Sequence, residues 1–159
     1  MTDSLAPSLV LGHVVEAQST VDGLKVRLQR LDRPAGVETD WLRIVSPMAG
    51  DAAGFCFMPE EGDLAVAAFH GRQAMVLGFI YGGGVATPAG DPHERTIQSR
   101  DGNAMVLVDG DRSGIILRDK HGNEIRMDKD GITLKSAKDI TVEAKGTATV
   151  KGTTVELNP

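Results

Sequence analysis

Apolar and polar residues alternate in short bursts along this chain, and the clearest bursts repeat. Ile132-Thr133-Leu134-Lys135 returns as Ile140-Thr141-Val142-Glu143, then as Ala148-Thr149-Val150-Lys151, and again as Val155-Glu156-Leu157. The first three copies start eight residues apart and the fourth seven. Each copy sets apolar residues against outward Thr, Lys or Glu, and small residues fall between the copies. A period of two within a copy and of eight between copies predicts short stacked strands that turn corners at Gly and Ala.

The first half predicts a different object. Residues 9–16 and 24–31 flank a turn at Asp22-Gly23, a third strand covers 41–45, and a polar, Gly-rich connection holds Gly50 and Gly54. The turn Pro59-Glu60-Glu61-Gly62-Asp63 leads into a strand over 64–69, and His70-Gly71-Arg72 leads into another over 75–80. Five or six short strands with tight turns and no helical period point to a small barrel of the five-stranded OB type.

The pattern breaks between Gly82-Gly83-Gly84 and His93, where Pro88 and Pro92 also fall, and a linker is expected there. Strands resume at 105–108, 115–118 and 124–128. Asp109-Gly110-Asp111, Asp119-Lys120-His121-Gly122-Asn123 and Lys129-Asp130-Gly131 are the turns between and after them. The expected organisation is a barrel over 1–81, a Gly/Pro linker over 82–100 and a strand array over 101–159.

Composition narrows the core. Of the 159 residues 41% are hydrophobic but only 4% aromatic, which suits stacked Val, Ile, Leu and Thr better than a core of rings. The formal charge of −5 argues against a nucleic-acid partner, which normally meets a basic face. The single cysteine, Cys56, sits in the apolar run Phe55-Cys56-Phe57-Met58 and is expected to be a small buried hydrophobe. Met1 to Pro7 carry no secretory signal pattern, and the apolar stretches at 64–69 and 74–81 are too short for a membrane span, so synthesis in the cytosol is expected.

A thin ladder with one apolar face cannot stand alone, because that face and both edges stay wet. A monomeric solenoid would need longer coils and capped ends. Three chains wound about one axis, each giving one face of a triangular prism per octad, suit a period of eight. The trimer core is then Ile132, Leu134, Ile140, Val142, Ala148, Val150, Val155 and Leu157.

These features resemble the central spikes of contractile tails, namely the phage baseplate assembly protein V type and the Vgr-type spikes of type VI secretion and related injection particles. In the barrel the resemblance rests on Trp41-Leu42-Arg43-Ile44-Val45 with Ala49-Gly50, on Pro59-Glu60-Glu61-Gly62-Asp63 with 64–69, and on Val76-Leu77-Gly78-Phe79-Ile80-Tyr81. Beyond the linker it rests on Asp119-Lys120-His121-Gly122-Asn123 with Ile125, on Gly131-Ile132-Thr133-Leu134, and on the octads. It implies an all-β chain, an N-terminal OB-fold barrel followed by a C-terminal intertwined trimeric β-helix or β-prism. The implied function is a homotrimeric needle that sits on a baseplate hub protein of a phage tail or injection particle and is driven mechanically through the target cell envelope.

Two departures matter. The linker leaves no room for the lysozyme-like domain of some spikes. Some phage spikes close their apex with a His-x-His iron site, but His13, His70, His93 and His121 are scattered here. Thr153-Thr154-Val155-Glu156-Leu157-Asn158-Pro159 keeps the strand pattern, and the resemblance implies a blunt trimeric end that seats a PAAR-type tip protein on Thr153, Thr154, Val155, Glu156, Leu157 and Asn158.

No catalytic constellation, cofactor or metal site is expected. Ser46, Ser99, Ser113 and Ser136 fall in turns or linkers and none occupies a nucleophile elbow. Asp128-Lys129-Asp130-Gly131 and Asp109-Gly110-Asp111 lack the further ligands of a calcium loop. The rival function is an OB-fold nucleic-acid-binding module with a β-extension, which would require a basic groove and stacked aromatics.

Overall fold

The computed structural model describes residues 8–156 apart from Arg72 and Gly83. Leu157, expected in the trimer core and the tip-docking stretch, and Asn158, expected in the latter, lie outside the described residues. No α-helix occurs among the described residues; the only helical turn is a 3-10 turn at Gly110–Arg112. The chain divides into two compact units between Ala86 and Thr87.

The first unit is a closed barrel. Its strands are β1 (Ser8–Thr20), β2 (Gly23–Arg30), β3 (Leu42–Ile44), β6 (Leu64–His70) and β7 (Gln73–Ile80), in the order β1-β2-β3-β7-β6. All neighbours are antiparallel except β3 and β7, which run parallel with Arg43 opposite Met75 and Ile44 opposite Val76. A two-residue pair, β4 (Ala49–Gly50) with β5 (Ala53–Gly54), forms a separate small hairpin.

Alternation builds this core. Val10 and Val14 on β1 point inward, whereas Leu9 and Leu11 on either side of Val10 are exposed. Val14, Val26, Leu28, Leu42, Ala65, Ala67 and Val76 form the buried cluster, with Phe69 and Ile44 packed against it. Register shifts between Val14 and Glu16 and between Val66 and Ala67 add the local twist that closure of a small barrel demands. At Gly12 the facing strand comes so close that a Cβ would stand 2.9 Å from the Gln29 carbonyl oxygen, so only glycine fits without displacement.

Polar groups fix the barrel's turns. Thr39 is buried; its backbone N–H donates to the Leu28 carbonyl at 2.9 Å, and its Oγ1 accepts from the Leu28 N–H at 3.0 Å. In the turn 59–63, Asp63 Oδ2 accepts the Glu60 N–H at 2.9 Å, and Gly62 takes a φ of +90°. The Gly62 N–H donates to Val14 O, while the Val14 N–H donates to Asp63 O, which ties the turn to β1. The Pro-Glu-Glu-Gly-Asp run is thus a structural clasp. Arg30 lies over the Phe69 ring, 4.9 Å from its centre, and donates two hydrogen bonds to Asp32, whose carboxyl is held below its ordinary range by that contact.

The second unit is an antiparallel meander. Its strands are β8 (Glu94–Gln98), β9 (Ala104–Val108), β10 (Gly114–Arg118), β11 (Glu124–Asp128) and β12 (Gly131–Lys135), each paired with the next. Edges remain open at β8 and β12.

Three expectations change. Strand β8 lies inside the stretch 82–100 expected as linker, because Glu94, Thr96 and Gln98 pair with Val108, Val106 and Ala104 despite the polar composition. Cys56 is exposed, and so are Phe55, Phe57 and Met58; the run follows β5 without joining a strand, so nothing turns its side chains inward. Among the described residues of the four octad copies only the first copy is a strand, β12. Residues 136–156 form no ladder among the described residues, because past β12 no neighbouring strand is present among them to complete one.

Candidate functional site

The register of the meander sorts its side chains into columns. Ile97, Met105, Leu117, Ile125 and Leu134 stand opposite one another from β8 to β12. Beside them, Leu107, Ile115, Met127 and Ile132 form a second apolar column from β9 to β12, with Arg95 at its β8 end. Residues two apart on a strand share a face, so the two columns make one continuous apolar surface.

That surface is uncovered in the single chain. Ile97, Met105, Leu107, Ile115, Leu117 and Ile125 are all exposed, and Ile132 at the open edge retains 69% of its accessible area. Met105, Leu117, Ile125, Leu134 and Ile140 line an open groove of about 430 Å3. The opposite face is of another character: Ala104 and Val106 are buried, and Glu94, Arg118, Glu124, Arg126 and Asp128 share it. An exposed apolar surface of this extent marks an interaction site.

The octads extend the surface. Ile140 reaches the groove, whereas Val142 at 82% and Val150 at 80% are almost fully in solvent, and Ala148 and Val155 are exposed as well. The structure therefore brings Ile132, Leu134 and Ile140 to the sheet's apolar face and leaves Val142, Ala148, Val150 and Val155 apart from it. Thr153, Thr154 and Glu156 are exposed without strand structure. Sequence reasoning placed the candidate surface in the octads alone and missed Ile97, Met105, Leu107, Ile115, Leu117, Ile125 and Met127. Their signal was present as Met105-x-Leu107, Ile115-x-Leu117 and Ile125-x-Met127, three apolar pairs of period two in consecutive strands.

A polar network holds the end of the sheet where β12 leaves it. Asp119 Oδ1 accepts the His121 N–H at 2.8 Å and the Asn123 N–H at 2.9 Å, while Asn123 Nδ2 donates to Asp119 Oδ2 at 2.7 Å. These donors, the Asn123 backbone N–H foremost, hold the Asp119 carboxyl below its ordinary range. Asn123 Oδ1 in turn accepts the Ala137 N–H at 3.0 Å, with Ser136 Oγ also within reach at 3.1 Å. Asn103 Oδ1 accepts the Lys120 N–H, and Ser99 Oγ accepts the Asn103 N–H. The sequence Asp-Lys-His-Gly-Asn is an Asx-type turn that also anchors the next segment.

Ion pairs around the sheet, among them Arg95 with Asp109, Arg112 with Asp91 and Lys120 with Asp101, are solvent-exposed. Ser46, Ser99 and Ser136 spend their hydroxyls on turn contacts, Ser46 within 2.9 Å of Met48 O and 2.8 Å of Phe55 O. Among the described residues no three His, Cys, Asp or Glu side chains gather as ligands for a metal ion. The chemistry on offer is burial of apolar surface and completion of open strand edges.

A closed small barrel in one unit and a strand sheet with an uncovered apolar face in the other define a two-unit all-β protein built to associate. Residues 10–81 match the type VI secretion system/phage-baseplate injector OB domain, and residues 94–159 match the phage baseplate V C-terminal trimerisation domain. Between them the matches take in both folded units, and the chain belongs to the phage baseplate V/Vgr-type spike family. No curated protein matches it. The family is one of structural baseplate components.

Proposed function

We propose that this protein is the central spike of a contractile tail or injection machine, a homotrimeric needle whose barrel unit meets a baseplate hub protein and whose octad stem is driven through the target cell envelope. The observation that carries this reading is the uncovered apolar surface running from Ile97 to the octads, together with the absence of ladder partners for residues 136–156 within the described residues. Its position inside the region matched to a trimerisation domain supports three copies as the means of covering it.

In that assembly Ile132, Leu134, Ile140, Val142, Ala148, Val150, Val155 and Leu157 face the common axis and the Thr, Lys and Glu positions face outward. A rod closed in this way is stiff because every strand edge is paired, and stiffness is what transmits force. No helix among the described residues is long and apolar enough to cross a membrane, which accords with mechanical entry. A PAAR-type tip protein seats on residues 153–158.

Light scattering with electron microscopy of the full chain tests the reading. The expected result is an elongated particle of three times the 16.8 kDa chain mass. A compact monomer would overturn it.

A further inference from the structure

On the face opposite the apolar columns, one column of the sheet is charged. Arg118 on β10 stands opposite Glu124 on β11, and Glu124 stands opposite Lys135 on β12. The octad period places Glu143 and Lys151 at the position of Lys135 in the next two copies. Read along the stem, the column is Arg118, Glu124, Lys135, Glu143, Lys151, and its sign alternates at every step. The first three are neighbours in the sheet; the last two have no strand beside them in this chain.

We propose that the open edge of β12 is completed by residues 140–143 of a second copy of this chain, running parallel, so that Glu143 of the partner subunit stands beside Lys135 and the charged column continues across the subunit boundary. The inference rests on the trimeric reading above and adds to it the identity of the paired edges and their register.

The other columns discriminate that register less sharply. Leu134, Val142 and Val150 are interchangeable in an apolar column, Ile132 and Ile140 are identical in the next, and Thr133, Thr141 and Thr149 are identical on the outside. A slip by one octad leaves the first and third nearly unchanged and in the second sets Ile132 against Ala148. The same slip sets Lys135 against Lys151, a like-charge contact between directly opposed residues. A slip by one residue turns the apolar columns into solvent. Among the strand positions the octads differ in these alternating charges and in Ala148, which replaces the isoleucine of the first two copies, and only the charges oppose the slip by repulsion. Exposed ion pairs add little stability, so the column acts on the choice of alignment more than on its strength.

The test is a register-specific crosslink in the full chain. Cys56 is exposed and is first replaced, Cys56→Ser. In that background Lys135→Cys/Glu143→Cys should oxidise to a covalent trimer on a non-reducing gel, since directly opposed strand residues fall within disulfide reach. Lys135→Cys/Lys151→Cys should stay uncrosslinked. A trimer by light scattering that links 135 to 151, or does not link 135 to 143, overturns the register and leaves the trimeric spike standing. A monomer overturns both. As a second readout, Glu143→Lys should lower the thermal midpoint at low salt below that of Glu143→Gln, with 1 M NaCl, about a 3 Å screening length, closing the gap. Equal midpoints at low salt would also overturn the proposal.

Discussion

The Asn123 side-chain oxygen accepts the backbone N–H of Ala137, 3.0 Å away, and so fixes the path of the chain as it leaves β12. The same side chain donates to Asp119, so one residue couples the β10–β11 turn to the segment between the first two octad copies. Asn123→Ala removes both contacts. A loss of about 1–3 kcal/mol is expected, because a part-buried amide and the groups it satisfied lose their partners. Urea unfolding at fixed protomer concentration checks it.

Acid should weaken the fold through the carboxyls held below their ordinary range. Asp119 is stabilised as a carboxylate chiefly by the Asn123 N–H, Asp22 by the Lys25 ammonium, and Asp32 by the Arg30 guanidinium. A depressed carboxyl contributes stability that is present above its unfolded pKa, about 3.9, and is lost as pH falls through the lower folded value. The thermal midpoint should therefore fall below about pH 4, and Asp119→Asn should shrink that drop. Melting curves from pH 6 to pH 2.5 measure it.

A charge in the apolar face should block association without unfolding the barrel. Ile125 lies between Leu117 and Leu134 in its column, and Ile125→Asp would place an unpaired carboxylate in the proposed interface, at several kcal/mol per copy. Light scattering should show particles of the 16.8 kDa chain mass. Trimers at unchanged concentration would count against this face as the interface.

The barrel should respond to cavity formation in the ordinary way. Leu28 is 1% exposed within the core cluster, and Leu28→Ala should cost about 2–5 kcal/mol. Denaturation followed at Trp41, within the barrel unit, reads that loss.

The proposed tip seat makes a further claim. Replacing Thr154 and Glu156 by Lys should abolish capture of a PAAR-type tip protein in a pull-down while the trimer persists. Undiminished capture would remove residues 153–158 as the seat.

Much of the barrel was legible because its strands alternate cleanly and its turns carry Gly and Asp at fixed places; β1, β2, β6 and β7 fall where the pattern put them. The β4–β5 pair was not, since two-residue strands carry no periodic signal. Strand β8 was hidden by composition: Glu94, Arg95 and Gln98 look like linker, and only pairing with β9 makes them a strand. Cys56 misled because four apolar residues in a row suggest burial, whereas burial depends on a partner surface that the single chain does not provide. The apolar face of the meander was half legible. Each strand showed its own alternation, but the alignment that joins them into columns is a property of the register, which no single strand encodes.

The meander joins each strand only to its successor, so everything needed to form it lies within a few dozen residues of chain. Such a unit closes quickly and locally. The octads beyond it have no such shortcut under the proposed assembly, in which their neighbours belong to other molecules. Maturation is thus expected to split into a fast step insensitive to dilution and a slow one governed by encounter frequency, so that newly made protomers wait, partly finished, until enough of their siblings arrive.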